Sequence, residues 1–247
     1  MRYQKKPQLP KCLNSKGECM HHTIYKIKAK PAASQTRAKV CSLNISMSNE
    51  NQTGEKLLAI VKWVNENFDH CIINVSDSLQ RHNLLSQGFT KEVAYQKAIY
   101  LGNVWLAEND KALKTIKTPH EIRRWDEWLV LKQVQDLQKN LHKMYKELMP
   151  FQICVDADAK HWVERQLGTN DNPTILKNGI NFLIEEFAVH SYMARREFQK
   201  GNGKMAQAYP ARQLQAEEFL RNRYGRIGLE KSFFVRQKVE TRIANQV

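Results

Sequence analysis

The sequence lacks the short signatures that announce most nucleotide-dependent enzymes and hydrolases. It has no GxxxxGK[ST], because Gly201-Asn202-Gly203-Lys204 is too short for a phosphate loop, and no GxGxxG, GxSxG or HExxH. An ATPase, a dinucleotide-dependent oxidoreductase, a nucleophile-elbow hydrolase and a zinc peptidase therefore have no support, and any energy for a reaction would have to arrive with the substrate. No apolar stretch approaches the roughly eighteen residues of a membrane helix. The start, MRYQKKPQLPK, is basic with no apolar run behind it, and it lacks the Ser/Arg-rich pattern of a transit peptide. The expectation is a cytoplasmic chain without a membrane partner. Five cysteines make an odd count with no CxxC. Cys41, Cys71 and Cys154 lie in apolar runs, where a free thiol behaves as a small hydrophobe. Cys12 and Cys19, with His21 and His22, match no common zinc spacing, so neither metal nor cofactor is expected.

Acid is also scarce. Lys and Arg number 39 against 25 Asp and Glu, a net charge of +14 that points to a polyanionic partner. Residues 1 to 39 hold Arg2, Lys5, Lys6, Lys11, Lys16, Lys26, Lys28, Lys30, Arg37 and Lys39 against Glu18 alone. This segment reads either as a solubilising tail or as an arm on phosphates, whose binding would weaken steeply with salt. It has no apolar face to anchor it to a membrane. With 247 residues, 42% apolar and 26% charged, the chain is long and apolar enough for a full core.

Residues 1–38, with Pro7, Pro10 and Pro31 and no sustained period, read as a flexible basic tail, and 39–247 as one domain. Val40 to Ser46 reads as a buried strand. Gly54 to Phe68 carries Leu57, Leu58, Val61, Val64 and Phe68 at helical spacing, and Cys71 to Val75 is a second strand. Strand, helix, strand within about thirty-five residues is a βαβ unit, hence an α/β fold with a parallel sheet and right-handed crossover. Further on, helices are expected over 90–109 (Thr90 as N-cap), from Thr118-Pro119-His120-Glu121 through Met149, and over 156–167. A strand is expected at Phe151–Val155, a loop at 168–173, a long helix over 174–199, a strand at Lys204–Tyr209 and a helix over 213–224. The last twenty residues are ambiguous.

Both early strands end in polar knots, Asn44-Ile45-Ser46-Met47-Ser48-Asn49 and Ser76-Asp77-Ser78. In open parallel sheets ligands bind outside the carboxyl ends of strands, so Ser46, Asn49 and the 74–78 stretch would border one pocket. The same residues also serve as ordinary turn and cap chemistry.

Asn44-Ile45-Ser46, then Gly54-Glu55-Lys56, then Asp77-Ser78-Leu79-Gln80-Arg81-His82 resemble segments of the tRNA-dependent cyclodipeptide synthases. Gly179-Ile180-Asn181-Phe182-Leu183-Ile184-Glu185-Glu186-Phe187-Ala188 and Ala208-Tyr209-Pro210 follow in the family's order, over about residues 38 to 225. The Tyr-Pro pair is similar to the subfamily that has Tyr-Pro in place of Tyr-His. The resemblance implies a single Rossmann-like domain related to the catalytic domain of class I aminoacyl-tRNA synthetases. It also implies two aminoacyl-tRNAs as substrates and a cyclic dipeptide as product; a monomer is the favoured state.

By the same resemblance Ser46 is the nucleophile that takes the aminoacyl group, Glu186 holds the substrate ammonium and relays protons, Tyr209 positions the carbonyl, and Asn49 assists. Ser42, Asn44, Asn74, Phe182, Val189 and Gln207 fall at substrate-pocket positions. Polar Ser42, Asn74 and Gln207 suggest a small or polar first residue. Two positions depart from the family. Asn44 stands where glycine is usual, and its side chain could crowd the nucleophile or donate to an oxyanion. Phe182 stands where a tyrosine is usual, a role that Tyr192 or His190 could fill. The charge on Lys91, Lys97, Lys111, Lys114, Lys117, Arg123 and Arg124 would meet tRNA phosphates. Two other readings stay open: a non-catalytic RNA-binding protein on the same fold, and a hydrolase that discharges aminoacyl-tRNA.

Overall fold

The computed structural model describes residues 23–167 and 172–243. Its centre is a six-stranded sheet in the order β1-β6-β5-β2-β3-β4, comprising β1 (Thr23–Lys30), β2 (Val40–Ile45), β3 (His70–Val75), β4 (His120–Arg124), β5 (Met205–Tyr209) and β6 (Ser232–Ile243). All neighbours are parallel except β1, which runs antiparallel to β6. The chain lays down β2, β3 and β4 in one direction and then places β5 and β6 on the other side of β2. The order therefore reverses between β2 and β5, the kind of switch point at which α/β sheets bind ligands.

Alternation along β2 sorts its side chains. Cys41, Leu43 and Ile45 enter a core with α2 (Gly54–Asn67) and α4 (Lys91–Leu113), joined there by Cys71, Ile73 and Val75 of β3. Ser42 and Asn44 point to the opposite face. That face is covered by α8 (Pro173–Gln199) with α6 (Lys132–Glu147), α7 (Met149–Leu167) and α9 (Gln215–Phe219). Short helices α1 (Ala33–Thr36), α3 (Arg81–Ser86) and α5 (Trp125–Leu129) complete the layers. Cys41 and Cys71 are register partners and buried, while Cys154 is half-buried. Cys12, Cys19, His21 and His22 lie outside the described residues.

Three expectations are corrected. The basic segment is not a tail throughout: Thr23–Lys30 is an edge strand, because Tyr25, Ile27 and Ala29 alternate with Lys26, Lys28 and Lys30 and β6 supplies a partner for each residue. The helix expected from Thr118 begins instead as β4, whose polar sequence His-Glu-Ile-Arg-Arg is held extended by pairing Cys71↔His120 through Val75↔Arg124. The strand expected at Phe151–Val155 is the first half of α7. Pro150 sits in its first turn, where the missing N–H would have no partner anyway, and Phe151, Val155 and Ala159 form one buried stripe. The ambiguous C-terminal segment is β6 as far as Ile243. No helix among the described residues is long and apolar enough to cross a membrane.

Candidate active site

The carboxyl ends of β2 and β5 border a cavity of about 450 Å³. Asn44, Gln207, Tyr209 and Phe234 rise into it from the sheet, and Ser46, Ser48 and Asn49 from the turn after β2. Phe182, Glu186 and His190 line it from α8; spaced four apart, they share one face of that helix. Asp158, His161 and Trp162 of α7 and Glu217 of α9 form the far wall. Of the residues nominated by the sequence, Ser46, Asn49, Glu186, Tyr209, Asn44, Phe182 and Gln207 thus meet here. Ser42, Asn74 and Val189 do not line the cavity; each is fully buried.

Ser46 is half-buried at the point where β2 ends. One side chain fixes this end of the strand. Gln52, fully buried, accepts from the Ser46 N–H (2.9 Å) and donates to the Asn44 carbonyl (2.6 Å), and Trp105 Nε1 donates to the Gln52 carbonyl (3.0 Å). The Asn49 N–H closes the turn onto the Ser46 carbonyl (3.0 Å), while the Asn49 side chain caps the next turn through Asn51 N–H (3.0 Å). The Ser46 hydroxyl lies 3.2 Å from that of Ser48.

The orientation of Asn44 follows from its neighbours. Trp128 Nε1 can only donate, and it donates to Asn74 Oδ1 (2.8 Å), so Asn74 turns its Nδ2 to Asn44 Oδ1 (3.3 Å). Ser42 Oγ donates to the same oxygen (2.9 Å). With Oδ1 occupied from below, Asn44 is left with its Nδ2 donor for the cavity, beside Ser46.

A second buried network ties α3 and α5 to α8. Glu185, 2% exposed, accepts from Arg81 Nη1 and Trp125 Nε1 (2.8 Å each), from Arg81 Nη2, and pairs with His82 Nε2 (3.3 Å). Burial alone would raise this carboxyl. The bonds from His82 and Arg81 outweigh burial and hold it down at about 2. Across the cavity Glu217 is likewise held below its ordinary value: burial opposes its charge, but Arg221 and His190 prevail. Asp158 is shifted the other way. Burial raises it although its Oδ2 accepts from the Ala216 N–H (2.8 Å). Phe182 stacks on Trp162 (6.2 Å between rings), and Tyr192 packs against Trp128 away from the cavity, so His190 is the nearer candidate for the polar role Phe182 lacks.

The basic residues divide into two groups. Lys91, Lys97, Lys111, Lys114 and Lys117 are exposed, with Lys97 over the Phe89 ring and Lys114 paired to Asp110 (2.6 Å); α4 ends at Leu113, so Lys117 follows the helix rather than extending its face. Arg123 and Arg124 have internal partners instead, Arg123 with Glu121 and Glu127, and Arg124 with buried Asp77. Among the described residues no group of three or more His, Cys, Asp or Glu side chains could hold a metal ion. Sequence reasoning missed Gln52, Asp158, Trp162 and Glu217. Only the i, i+4 pair Asp158–Trp162 carried a signal of a shared face.

No family model and no curated protein matches the chain. Solved structures do. A cyclodipeptide synthase from Fluoribacter dumoffii superposes with a TM-score of 0.76 at 25% identity, covering 89% of this chain and 100% of that one. A cyclo(L-leucyl-L-phenylalanyl) synthase gives 0.69 at 12% identity over 88% and 99%. A Mycobacterium tuberculosis protein, whose structure relates cyclodipeptide synthetases to type I tRNA synthetases, gives 0.70 at 13% over 96% and 100%. The structural neighbours are thus cyclodipeptide synthases, and the fold is a mixed α/β domain of their kind.

Proposed function

We propose that this chain is an aminoacyltransferase that joins two aminoacyl groups, each delivered on tRNA, into a cyclic dipeptide, with Ser46 as the covalent carrier. The observation that supports it most is the convergence of Ser46, Glu186 and Tyr209, from three separate elements, on one cavity at the β2/β5 switch point. The fold shared with cyclodipeptide synthases agrees with it.

In this reading the Ser46 Oγ attacks the ester carbonyl carbon of the first aminoacyl-tRNA. The tetrahedral oxyanion forms beside Asn44 Nδ2, the bond to the terminal ribose oxygen breaks, and that oxygen leaves with a proton. The amine of the aminoacyl group on Ser46 then attacks the ester carbonyl of a second aminoacyl-tRNA, the bond to that tRNA's ribose oxygen breaks and the oxygen leaves with a proton, and a dipeptidyl ester remains on Ser46. The dipeptide's free amine then attacks the carbonyl of the Ser46 ester, the bond to Ser46 Oγ breaks, and the ring leaves as Oγ takes up a proton. The first transfer exchanges one ester for another and the two later steps each replace an ester by an amide, so no ATP is required. Glu186, on the cavity face of α8, would bind the α-ammonium and accept its proton. Proline after Tyr209 supports a place in the subfamily with Tyr-Pro instead of Tyr-His.

Of the three side chains expected to make the first-residue pocket polar, only Gln207 reaches the cavity, where His190, Glu217 and Asp158 add polar groups. This supports a polar first residue more directly than Ser42 or Asn74 could. The test is mass spectrometry of cultures expressing the chain or its Ser46→Ala form. Diketopiperazines that require Ser46 are expected, and a wild-type culture with none while the protein binds tRNA would remove the catalytic reading.

A further inference from the structure

The sheet opens beside the nucleophile in a way that leaves two peptide groups to be satisfied. Along β2 the peptide groups alternate in direction, and that of Ile45 faces β3, because its carbonyl takes the Ser76 N–H (3.0 Å). The Asn44 carbonyl and the Ser46 N–H therefore face the side of β5. Yet β5 pairs with β2 only through Cys41↔Ala206, Ser42↔Gln207 and Leu43↔Ala208. Continued in the same register, Asn44 would stand opposite Tyr209 and Ile45 opposite Pro210. In a parallel ladder the N–H of residue 210 would then go to the Asn44 carbonyl, and its C=O would take the Ser46 N–H. Pro210 has no N–H to give, and the strands part here around the cavity.

The Gln52 side chain supplies both missing groups. Its Oε1 accepts from the Ser46 N–H (2.9 Å) and its Nε2 donates to the Asn44 carbonyl (2.6 Å). One side-chain amide thus takes the place of the backbone donor and acceptor of residue 210. The Ser46 carbonyl in turn accepts from the Asn49 N–H (3.0 Å). The peptide groups on both sides of the Ser46 Cα are held, and Oγ keeps only the rotation about χ1. Gln52 is itself braced. It is fully buried at the end of the short turn Glu50–Gln52, and its carbonyl takes Trp105 Nε1 (3.0 Å). Two residues on, the Gly54 N–H goes to Asn109 Oδ1 (2.9 Å), and Asn109 Nδ2 donates back to the Trp105 carbonyl (2.9 Å). The backbone of Ser46 therefore leans on α4 through a single side chain.

We propose that Gln52 is a positioning residue for the Ser46 nucleophile: its amide stands in for the β5 neighbour that Pro210 cannot be, and holds Oγ in place while the sheet stays open for substrate. The proposal rests on the function proposed above. With the Ser46 N–H occupied by Gln52, that amide is not free to bind an oxyanion, which leaves the role to Asn44 Nδ2.

The test compares the wild-type chain with two variants. Gln52→Met keeps the length of the side chain and loses both bonds. Gln52→Glu, when ionised, still accepts from Ser46 but opposes the Asn44 carbonyl with an oxygen. Transfer of the aminoacyl group from tRNA to Ser46 is followed in single turnovers by intact-protein mass, beside the melting temperature and the binding of aminoacyl-tRNA. Gln52→Met should transfer about 10²-fold more slowly with binding unchanged, the size expected of a nucleophile misplaced by about 1 Å. For Gln52→Glu, pH separates position from shape. Burial without a counter-charge raises its carboxyl above the ordinary value of about 4.3. As the pH falls from about 8 to about 5 the neutral acid forms, which donates its O–H to Asn44 and accepts from Ser46. The rate of Gln52→Glu relative to wild type at the same pH should therefore climb, while that of Gln52→Met stays flat. If Gln52→Met does not fold, the Gln52→Glu profile carries the test alone. Equal transfer by Gln52→Met and wild type, a rate loss matched by weaker tRNA binding, or a flat Gln52→Glu profile would each overturn the proposal. Hydrogen exchange at the Ser46 amide gives a readout free of tRNA: it should be slow in the wild type and fast in Gln52→Met, and fast exchange in the wild type sinks the clamp. A wild-type chain that is never acylated removes the transferase and Gln52's catalytic role with it, even where exchange is slow. A wild-type chain acylated no faster than Gln52→Met removes Gln52 alone.

Discussion

Glu185 offers the sharpest test of the physical reasoning, because its stabilisation can be worked out in two independent ways. The carboxylate is 2% exposed and takes donors from Arg81, Trp125 and His82. Replacing it by glutamine leaves the Arg81 guanidinium without its counter-ion, a change that costs about 3–5 kcal/mol in buried pairs. The titration argument starts elsewhere. A carboxyl held at about 2 against an ordinary 4.5 contributes about 3 kcal/mol at neutral pH, at about 1.4 kcal/mol per pH unit of difference. Because the folded carboxyl titrates lower than the unfolded one, the unfolded chain takes up its proton first as the pH falls. The stabilisation is therefore whole above about 4.5 and drains away between 4.5 and 2; by pH 3 about half of it is gone. Urea unfolding of the wild-type chain and Glu185→Gln, run from pH 7 to pH 3, should show a gap of about 3 kcal/mol that narrows by about half in acid. Equal stability at pH 7 would refute the ion-pair account. A gap of constant size across the range would mean that shape, not charge, is what the substitution disturbs.

Two further outcomes follow from the same contacts. Trp128→Phe keeps a ring in place but removes the indole donor that fixes Asn74, and through it Asn44, so single-turnover transfer to Ser46 should slow; Asn44→Ala should slow it about 10²-fold, with the KM for aminoacyl-tRNA little changed in either. If Asn44→Ala transfers at the wild-type rate, Asn44 is not an oxyanion donor. Gly102→Ala in α4 should destabilise the fold although alanine is the better helix former by about 1 kcal/mol, because its Cβ would sit 2.6 Å from Asp77 Cβ and 2.9 Å from Arg124 Nη2. A melting temperature that rises would show that the Asp77–Arg124 pair can give way.

Where the sequence was legible, one strong pattern was bounded by turn chemistry. β2, α2 and β3 read correctly because short apolar runs flank a helix with buried positions at 57, 60, 61 and 64. β5 and α8 were equally plain, the latter starting at Pro173 after the cap Asn172. The missed strands share one cause. β1, β4 and the segment that forms β6 are rich in charge, and their extended form is fixed by partners far away in the chain. Lys28 is paired with Lys238, and Arg124 is held by Asp77, 47 residues away. The alternation Tyr25, Ile27, Ala29 was visible in the sequence, but its strand has no stability without β6. At Phe151 the error was of period: a short apolar run is compatible with either element, and only its packing against Phe219 and the α8 core decides.

The adjacent pair Glu185-Glu186 shows why the site was harder to read than the fold. Nothing in composition or period says which of two neighbouring glutamates does chemistry, and the resemblance alone favoured Glu186. The structure supplies a physical reason for the difference. One residue on a helix turns the side chain by about 100°, so Glu186 shares the face of Phe182 and His190 and borders the cavity, whereas Glu185 is turned toward Arg81, His82 and Trp125. A carboxylate held at about 2 by its donors stays ionised throughout the neutral range and has no proton to exchange there. Glu185 is thereby removed from acid–base work by the contacts that fix α8 against α3 and α5. Those contacts also fix the rotation of α8, and so keep Glu186 on the cavity that Ser46 and Tyr209 also line. On this reasoning Glu185→Gln should depress turnover without touching substrate, by letting the helix turn.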